Sequence, residues 1–298
     1  MDMNKMIDFS SRHDVLILNE DGTLSPMDEP YFRAVQLNED TWKIESDGDF
    51  CYLAAGENVA ISIDTGYGAG NIRAFEQTLT RVPVCFAANT HDHFDHTAGN
   101  GYYDAVYMSA ETQPLATRPY PSFGEISFPK ARQERIVSDG DRIDLGNRTL
   151  QVISMPDHAA GSLLFLDEKN KMLFAGDELG DMKRINGTVE HVCTQLQALM
   201  QYRNRFDTIC AGPGVFPGDV ADRLLAATER ILAGSEGEMV TPRPYQMAEA
   251  AGYEGKTIYR RRDARLEDLP KDFDKPDPYK RLFTFDGVKI LYDVRRIR

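Results

Sequence analysis

Between Thr90 and His96 the chain reads Thr-His-Asp-His-Phe-Asp-His, so three imidazoles and two carboxylates fall within six positions. The apolar run Val84-Cys85-Phe86-Ala87-Ala88 stands just before them and reads as a short buried strand. Imidazole and carboxylate are the groups that zinc, iron and manganese take as ligands. On a regular strand His91 and His93 would share a face, while Asp95 and His96 could not. A turn at the strand end lets the first pair converge on one point and turns Asp95 and His96 toward a second. The blander alternative, a solvated polar turn, leaves three histidines in six positions unexplained. Any fold for this chain must therefore end a strand at this turn and bring further ligands to it.

Two later segments offer them. Met155-Pro156-Asp157-His158-Ala159-Ala160-Gly161-Ser162 puts a histidine in a strand-to-strand loop, and Phe174-Ala175-Gly176-Asp177 puts a carboxylate at the end of an apolar run. Each alone is weak, since a surface histidine and a strand-end aspartate are both ordinary. Together with the cluster they supply a third nitrogen and a bridging oxygen.

The rest of the chain alternates short apolar runs with a few helices. Strands are expected at 34–37, 41–44, 49–53, 59–63, 105–108, 135–138, 142–145, 149–155, 162–166, 171–175 and 208–211. Ile72, Phe75 and Leu79 mark one face of a helix. Ser109 is placed to cap a brief helix through Leu115. Thr188 caps a helix with the stripe Val189, Val192, Cys193, Leu196, Leu199 and Met200. Asp219 is expected to cap another, with Val220, Leu224, Ala227 and Ile231 inward and Gly234 at its end. Near the C-terminus, Leu282-Phe283-Thr284-Phe285, an Asp286-Gly287 turn and Val288 to Tyr292 read as a hairpin. Strands that pair as meanders, interleaved with helices, predict an α/β layer structure instead of a doubly wound parallel sheet. The division expected is an arm at 1–30, a core domain at 31–234, and an extension at 235–298 packed on that core.

Charge and composition exclude several classes. With 34 Lys and Arg against 47 Asp and Glu, the net charge is −13, which repels a phosphate backbone and argues against nucleic acid. No run approaches the ~18 apolar residues of a membrane span. The opening Met-Asp-Met-Asn-Lys-Met-Ile-Asp has no secretory pattern. Cys51, Cys85, Cys193 and Cys210 lack paired spacing and sit among apolar residues, as reduced core thiols do. A cytoplasmic protein is the expectation.

The sequence resembles the metallo-β-lactamase-fold superfamily of metallo-hydrolases from about Val35 to Ile231. The resemblance rests on Asp64-Thr65-Gly66, the HxHxDH motif at 91–96, the loop at 156–162 (family pattern PGHTxGS) and Ala175-Gly176-Asp177. It implies an αββα four-layer sandwich with metals at one edge. It also implies that His91, His93 and His158 hold a first metal, that Asp95 and His96 hold a second, and that Asp177 bridges them. Asp95 and Asp177 are thereby the catalytic carboxylates. Asp64 would orient a ligand imidazole from behind, as metal sites commonly require, or else merely cap its strand.

Three positions depart from the family pattern. The turn that usually supplies a closing histidine reads Ala211-Gly212-Pro213-Gly214, and Pro213 has no donor atom. The second site is thus expected to be weaker, with zinc at the first and iron or manganese also suited to the second. Asp157 replaces a glycine before His158, and Ala159 replaces a threonine. His191 is a candidate replacement ligand, although at about 200° from Val189 it faces away from the apolar stripe. Phe94, Tyr102 and Tyr103 are candidate pocket walls, with plain packing as the alternative. The Pro-rich 118–123 stretch could form a lid. His13 and Arg260-Arg261-Arg262 read as surface residues.

The resemblance implies a hydrolase in which a metal-bound hydroxide attacks a small-molecule ester, lactone, thioester or amide. A mononuclear non-haem iron dioxygenase, with His91, His158 and Asp177 on iron, is the alternative within the same fold. A non-catalytic binding protein is disfavoured because six ligand positions are intact. The expected partner is a small molecule, with a homodimer left open.

Overall fold

The computed structural model of the chain describes residues 32–46, 49–68, 70–118, 128–240 and 277–298. It also gives the backbone of two short antiparallel strands, β1 (Leu16–Leu18) and β2 (Leu24–Pro26). His13, the 119–123 part of the expected lid and the arginines at 260–262 lie outside the described residues.

One sheet runs in the order β3 (Phe32–Asn38), β4 (Thr41–Ser46), β5 (Asp49–Ala55), β6 (Ala60–Ile63), β7 (Val84–Ala88), β8 (Ala105–Met108), β9 (Gln133–Ile136). Its first four strands form an antiparallel meander, and the last four are parallel. Helix α1 (Ile72–Leu79) crosses from β6 to β7, and the one-turn α2 (Phe94–Thr97) follows β7. The second sheet takes β10 (Arg142–Asp144), β11 (Thr149–Ser154), β12 (Leu163–Asp167), β13 (Met172–Gly176), β15 (Thr208–Ala211) and β16 (Gly214–Pro217). Only its β13–β15 pair is parallel, joined through β14 (Met182–Arg184) and α3 (Val189–Leu199). After α4 (Val220–Leu232), strands β17 (Glu238–Met239), β18 (Lys280–Phe285) and β19 (Val288–Asp293) combine with β14 in a small third sheet of order β14-β19-β18-β17.

The period of two along each strand sorts side chains into three cores. Tyr52, Ile61 and Ile63 of the first sheet meet Val152, Phe165 and Phe174 of the second between the sheets. The alternate residues Cys51 and Leu53 face outward with Val106 onto Ile72 of α1. Ile153, Leu164 and Leu166 face outward on the other side, against Val189, Val192 and Leu196 of α3 and Leu224 and Ile231 of α4. Helix, sheet, sheet and helix thus form an α/β sandwich of four layers. Strands β12 and β13 are buried along their whole length, which explains sequences that are apolar throughout but for Gly176 and the ion-paired Asp167. Val288, Ile290 and Tyr292 of β19 belong to the same outer core as α3 and α4.

Two local expectations need correction. Ser109 does accept Thr112 N at 3.1 Å, but turns, not a helix, run from 110 to 117. Pro114 lacks the N–H that a helical ladder would need there. Asp219 begins α4 without a side-chain cap; its backbone is already helical and its carboxylate meets Arg223 Nη2 at 3.3 Å.

The carboxyl ends of β6, β7, β11, β13 and β15 all point to one edge of the sandwich. Asp64, Thr90, the 155–162 loop, Asp177 and Gly212 follow those strands. Leu163 N donates to Thr90 O at 2.7 Å, which stitches the two sheets together there.

Candidate metal centre

His93 caps the N-terminus of α2 with extended backbone, so the chain enters the helix within the histidine motif. His91 stays in the loop, and His96 comes one helical turn after His93. The imidazoles gather: His91 lies with its ring centre 4.6 Å from His93, 4.1 Å from His96 and 4.8 Å from His158. Among the described residues, His91, His93 and His158 form one group able to hold a metal ion, and His91, His96 and Asp177 form another. His93 Nδ1 and His158 Nε2 face each other at 2.9 Å. Asp177 reaches both groups, with Oδ2 3.6 Å from His158 Nε2 and Oδ1 3.7 Å from His96 Nε2. Asp95 Oδ2 lies 3.7 Å from the same His96 nitrogen.

Hydrogen bonds behind the cluster decide which nitrogens face it. Asp64 accepts from Thr90 N at 2.7 Å and from Thr90 Oγ1 at 2.7 Å, and it meets His96 Nδ1 at 2.8 Å. A carboxylate only accepts, so His96 carries its proton on Nδ1. Thr90 Oγ1, having given its proton to Asp64, accepts from His91 Nδ1 at 3.0 Å. Both imidazoles therefore aim Nε2 inward, and both Nε2 atoms are buried without a hydrogen-bond partner. Two orphaned, pre-aimed nitrogens beside carboxylate oxygens are what a cation would satisfy, so the residues fit a metal.

The electrostatics agree. Burial holds the His91 imidazole well below its usual pKa, and the neighbouring imidazoles push the same way. Burial also disfavours a charged His96, but Asp64, Asp95 and Asp177 outweigh it and raise that group well above the ordinary value. Burial lowers His158 as well. The cluster is a nitrogen-rich pocket under a negative potential.

Two glycines permit the close approach. A Cβ on Gly176, whose φ is +49°, would strike Thr90 Oγ1, and one on Gly212 would strike Asp177 Oδ1. Pro213 lies in the β15–β16 turn, where its ring is close to Gly180 and offers no ligand. Asp64 adopts φ 62°, a left-handed conformation that aspartate tolerates better than most residues.

Other candidates are placed differently. His191 is exposed, outside both groups, and its Nε2 meets the Pro156 carbonyl at 2.7 Å. It is not positioned as the missing ligand, because the start of α3 turns it onto the backbone ahead of His158. Tyr103 is no pocket wall: it is 1% exposed and its hydroxyl donates to Glu76 Oε2 at 2.7 Å in the outer core. Phe94 is equally buried, with ring contacts to Tyr67 and Phe128, so it underpins α2. The half-buried Tyr102 packs on that outer core.

Several supporting residues went unseen in sequence. Asn89 Nδ2 and Thr65 Oγ1 both donate to His96 O, at 3.0 and 3.1 Å, and Asn100 joins the two. Glu178 accepts from the backbone of Asp157 and His158. Small polar residues next to glycines are too common to single these out. The one available signal was Asp157 itself, a carboxylate standing where the family pattern has glycine.

The fold and the site define a metal-dependent hydrolase. The family profile of the metallo-beta-lactamase superfamily matches residues 47–224. The chain belongs to that superfamily. It is 33% identical over 205 residues to acyl-coenzyme A thioesterase MBLAC2 of Gallus gallus, a stretch of 58% of this chain and 74% of that protein. The Homo sapiens protein of that name is 33% identical over 162 residues, covering 44% of this chain and 58% of its own length. A hydroxyacylglutathione hydrolase of Francisella philomiragia is 30% identical over 131 residues, 44% of this chain and 47% of that one. Among solved structures, a metallo-beta-lactamase from Pontibacter korlensis superposes with a TM-score of 0.53 at 17% identity, over 66% of this chain and 99% of that one. One from Pseudomonas aeruginosa, in mono-zinc form, gives 0.52 at 14% identity, over 67% and 96%. These structures share the fold.

Proposed function

We propose that the chain hydrolyses acyl thioesters with zinc held by His91, His93 and His158, and a second, weaker ion held by Asp95, His96 and Asp177. The observation that carries this reading is Asp177, whose two oxygens each approach a different imidazole group at 3.6 and 3.7 Å. A divalent ion in such a site supplies Lewis acidity, polarising a carbonyl oxygen and making water acidic enough to react near neutral pH. The chain's own residues supply the order. Asp64 and Thr90 hold Nδ1 of His96 and His91, so both imidazoles aim Nε2 at the cluster. Asp177, half-buried between the groups, is placed to hold a proton at Oδ1 or Oδ2 during acyl transfer. Glycines at 176 and 212 keep that carboxylate tight against the cluster.

Thioesters are favoured because two kinds of relative, named as an acyl-coenzyme A thioesterase and a hydroxyacylglutathione hydrolase, both have names that denote thioester substrates. Pro213 makes the second group poorer in nitrogen, which supports unequal ion affinities. The test is thiol release from a panel of acyl-coenzyme A and acylglutathione thioesters, with phenyl esters and lactones as controls. Zinc-loaded protein is expected to cleave a thioester, and His158→Ala to lose at least 100-fold in rate. Preference for a lactone, or no thioesterase activity in zinc-loaded protein, overturns the substrate assignment.

A further inference from the structure

Residues 156–158 of the loop bearing His158 are gripped by the segment that follows Asp177, while the far end of the loop is held from the first sheet, where Ser109 Oγ donates to Gly161 O at 2.8 Å. Glu178, the residue after Asp177, turns back so that Oε1 accepts Asp157 N at 3.1 Å and His158 N at 2.7 Å. Its other oxygen pairs with Lys183 Nζ, which also meets Asp157 Oδ2 at 2.9 Å. All three side chains are only 2% exposed. Asp157 Oδ1 then accepts Gly187 N at 2.9 Å, and Asn186 Nδ2 donates to the His158 carbonyl at 2.9 Å. With His191 on Pro156 O, residues 156, 157 and 158 are all held by the segment from 178 to 191.

That segment rests in turn on the C-terminal strand. β14 pairs parallel with β19, bringing Lys183 opposite Ile290. Lys289 N donates to Asp181 O at 2.7 Å, and Ile185 N donates to Leu291 O at 2.9 Å. Farther along, Val189 N and Glu190 N donate to Arg296 O and Ile297 O, and Arg296 Nη1 reaches Asn186 O at 2.8 Å. All of these C-terminal residues lie beyond residue 224, where the superfamily match ends.

We propose that Lys183 is a positioning residue: clamped between Glu178 and Asp157 and seated by β19, it fixes the His158 loop against Asp177. A lysine so deeply buried costs desolvation unless it is paired, and here two carboxylates pair it while one of them holds the ligand loop by its backbone. Without the ammonium, Glu178 and Asp157 are two buried carboxylates with no cation between them, and the loop has to give way. Asp157, the departure from the family's glycine, is thereby explained as half of the clamp. The same logic makes β19 and the residues after it part of the site, although none of these described residues is a ligand.

The proposal rests on the reading of His91, His93 and His158 as a metal group, so its test measures metal binding, not turnover. Zinc affinity is read on the full chain by competition with a chromophoric chelator, and ligand geometry by the visible absorption of the cobalt-substituted protein. Lys183→Met is expected to weaken the tightest zinc at least tenfold and to change the cobalt spectrum. Asp157→Asn keeps an acceptor for Gly187 but loses the ion pair; it is expected to weaken zinc several-fold. Should Lys183→Met fail to fold, Asp157→Asn decides. If the folded variants bind zinc as tightly as the parent, with the same cobalt spectrum, the clamp is merely structural and the proposal falls, even if melting temperatures drop. A parent chain that binds no zinc would sink the metal reading itself, and this proposal with it.

Discussion

Strands β11 and β12 have a buried polar cluster at each end, and the two are built on opposite principles. At the end remote from the histidines, Arg148 Nη2 pairs with Asp167 Oδ2 at 2.7 Å, both side chains wholly buried, and reaches Thr41 Oγ1 at 2.8 Å. Its Nη1 donates to Asp40 O at 2.7 Å and Ala55 O at 3.2 Å, clipping one sheet to the other. Asn170 Nδ2 adds bonds of 3.0 Å to both Asp40 and Asp167. There the protein supplies partners for both terminal nitrogens of the guanidinium. At the histidine end the bonds lie behind the rings, and the His91 and His96 Nε2 atoms are kept without protein partners. One end spends its polar groups on each other, with Arg148 Nε alone left over, and the other aims two ring nitrogens at a cation.

Breaking the closed end should produce the largest effect on folding. Arg148→Met strands Asp167 in the core without its cation, which is expected to cost about 3–5 kcal/mol. Chemical denaturation of metal-free protein measures this. The folded fraction should still take up zinc as the parent does, since the clip touches no ligand. Loss of zinc from folded Arg148→Met would mean that the two ends are not independent.

Glu76 sharpens the contrast, because its cluster closes only when protonated. Ser62 Oγ lies 2.7 Å from Asp64 O and 2.5 Å from Glu76 Oε1, and its single proton cannot serve both. Glu76, pushed up to about 8 by burial, resolves this by donating its own proton to Ser62 while accepting from Tyr103. The sign follows from proton uptake. Between about 4.5 and 8 the folded state keeps a proton that the unfolded chain has released, so stability falls as pH rises through that window. The loss across that window should be about 4 kcal/mol. Glu76→Gln should flatten the decline when denaturation curves are compared at pH 5 and pH 8. An unchanged slope would assign the titration to another group.

Local pattern made much of this legible. The apolar alternation of β4 to β6, the stripes of α3 and α4, the hairpin of β18 and β19 and the HxHxDH turn are each written in consecutive residues. What stayed hidden depends on chain crossings that no spacing encodes. Lys183, in a stretch of charged residues, reads as solvated until β19 covers it. Tyr103 stands only seven residues after His96, yet the 3-10 turn at 98–102 that it ends carries its ring into the outer core, onto Glu76. Arg148 looks like a turn residue until Asp167 and Asp40 arrive from two sheets. His191 is exposed, away from the apolar stripe, as its spacing predicts, but no local pattern encodes its carbonyl partner on the His158 loop.

The direct test of the open histidine end is metal content measured by elemental analysis, after zinc loading and exhaustive dialysis of the full chain and of His91→Ala. His91 belongs to both groups of facing ligand atoms, and the weaker ion assigned to Asp95, His96 and Asp177 is expected to leave either protein on dialysis. The parent is expected to retain at least one ion per chain, and the variant, still folded, to retain none. A parent that emerges free of metal, or a His91→Ala protein that keeps as much as the parent, would contradict the account.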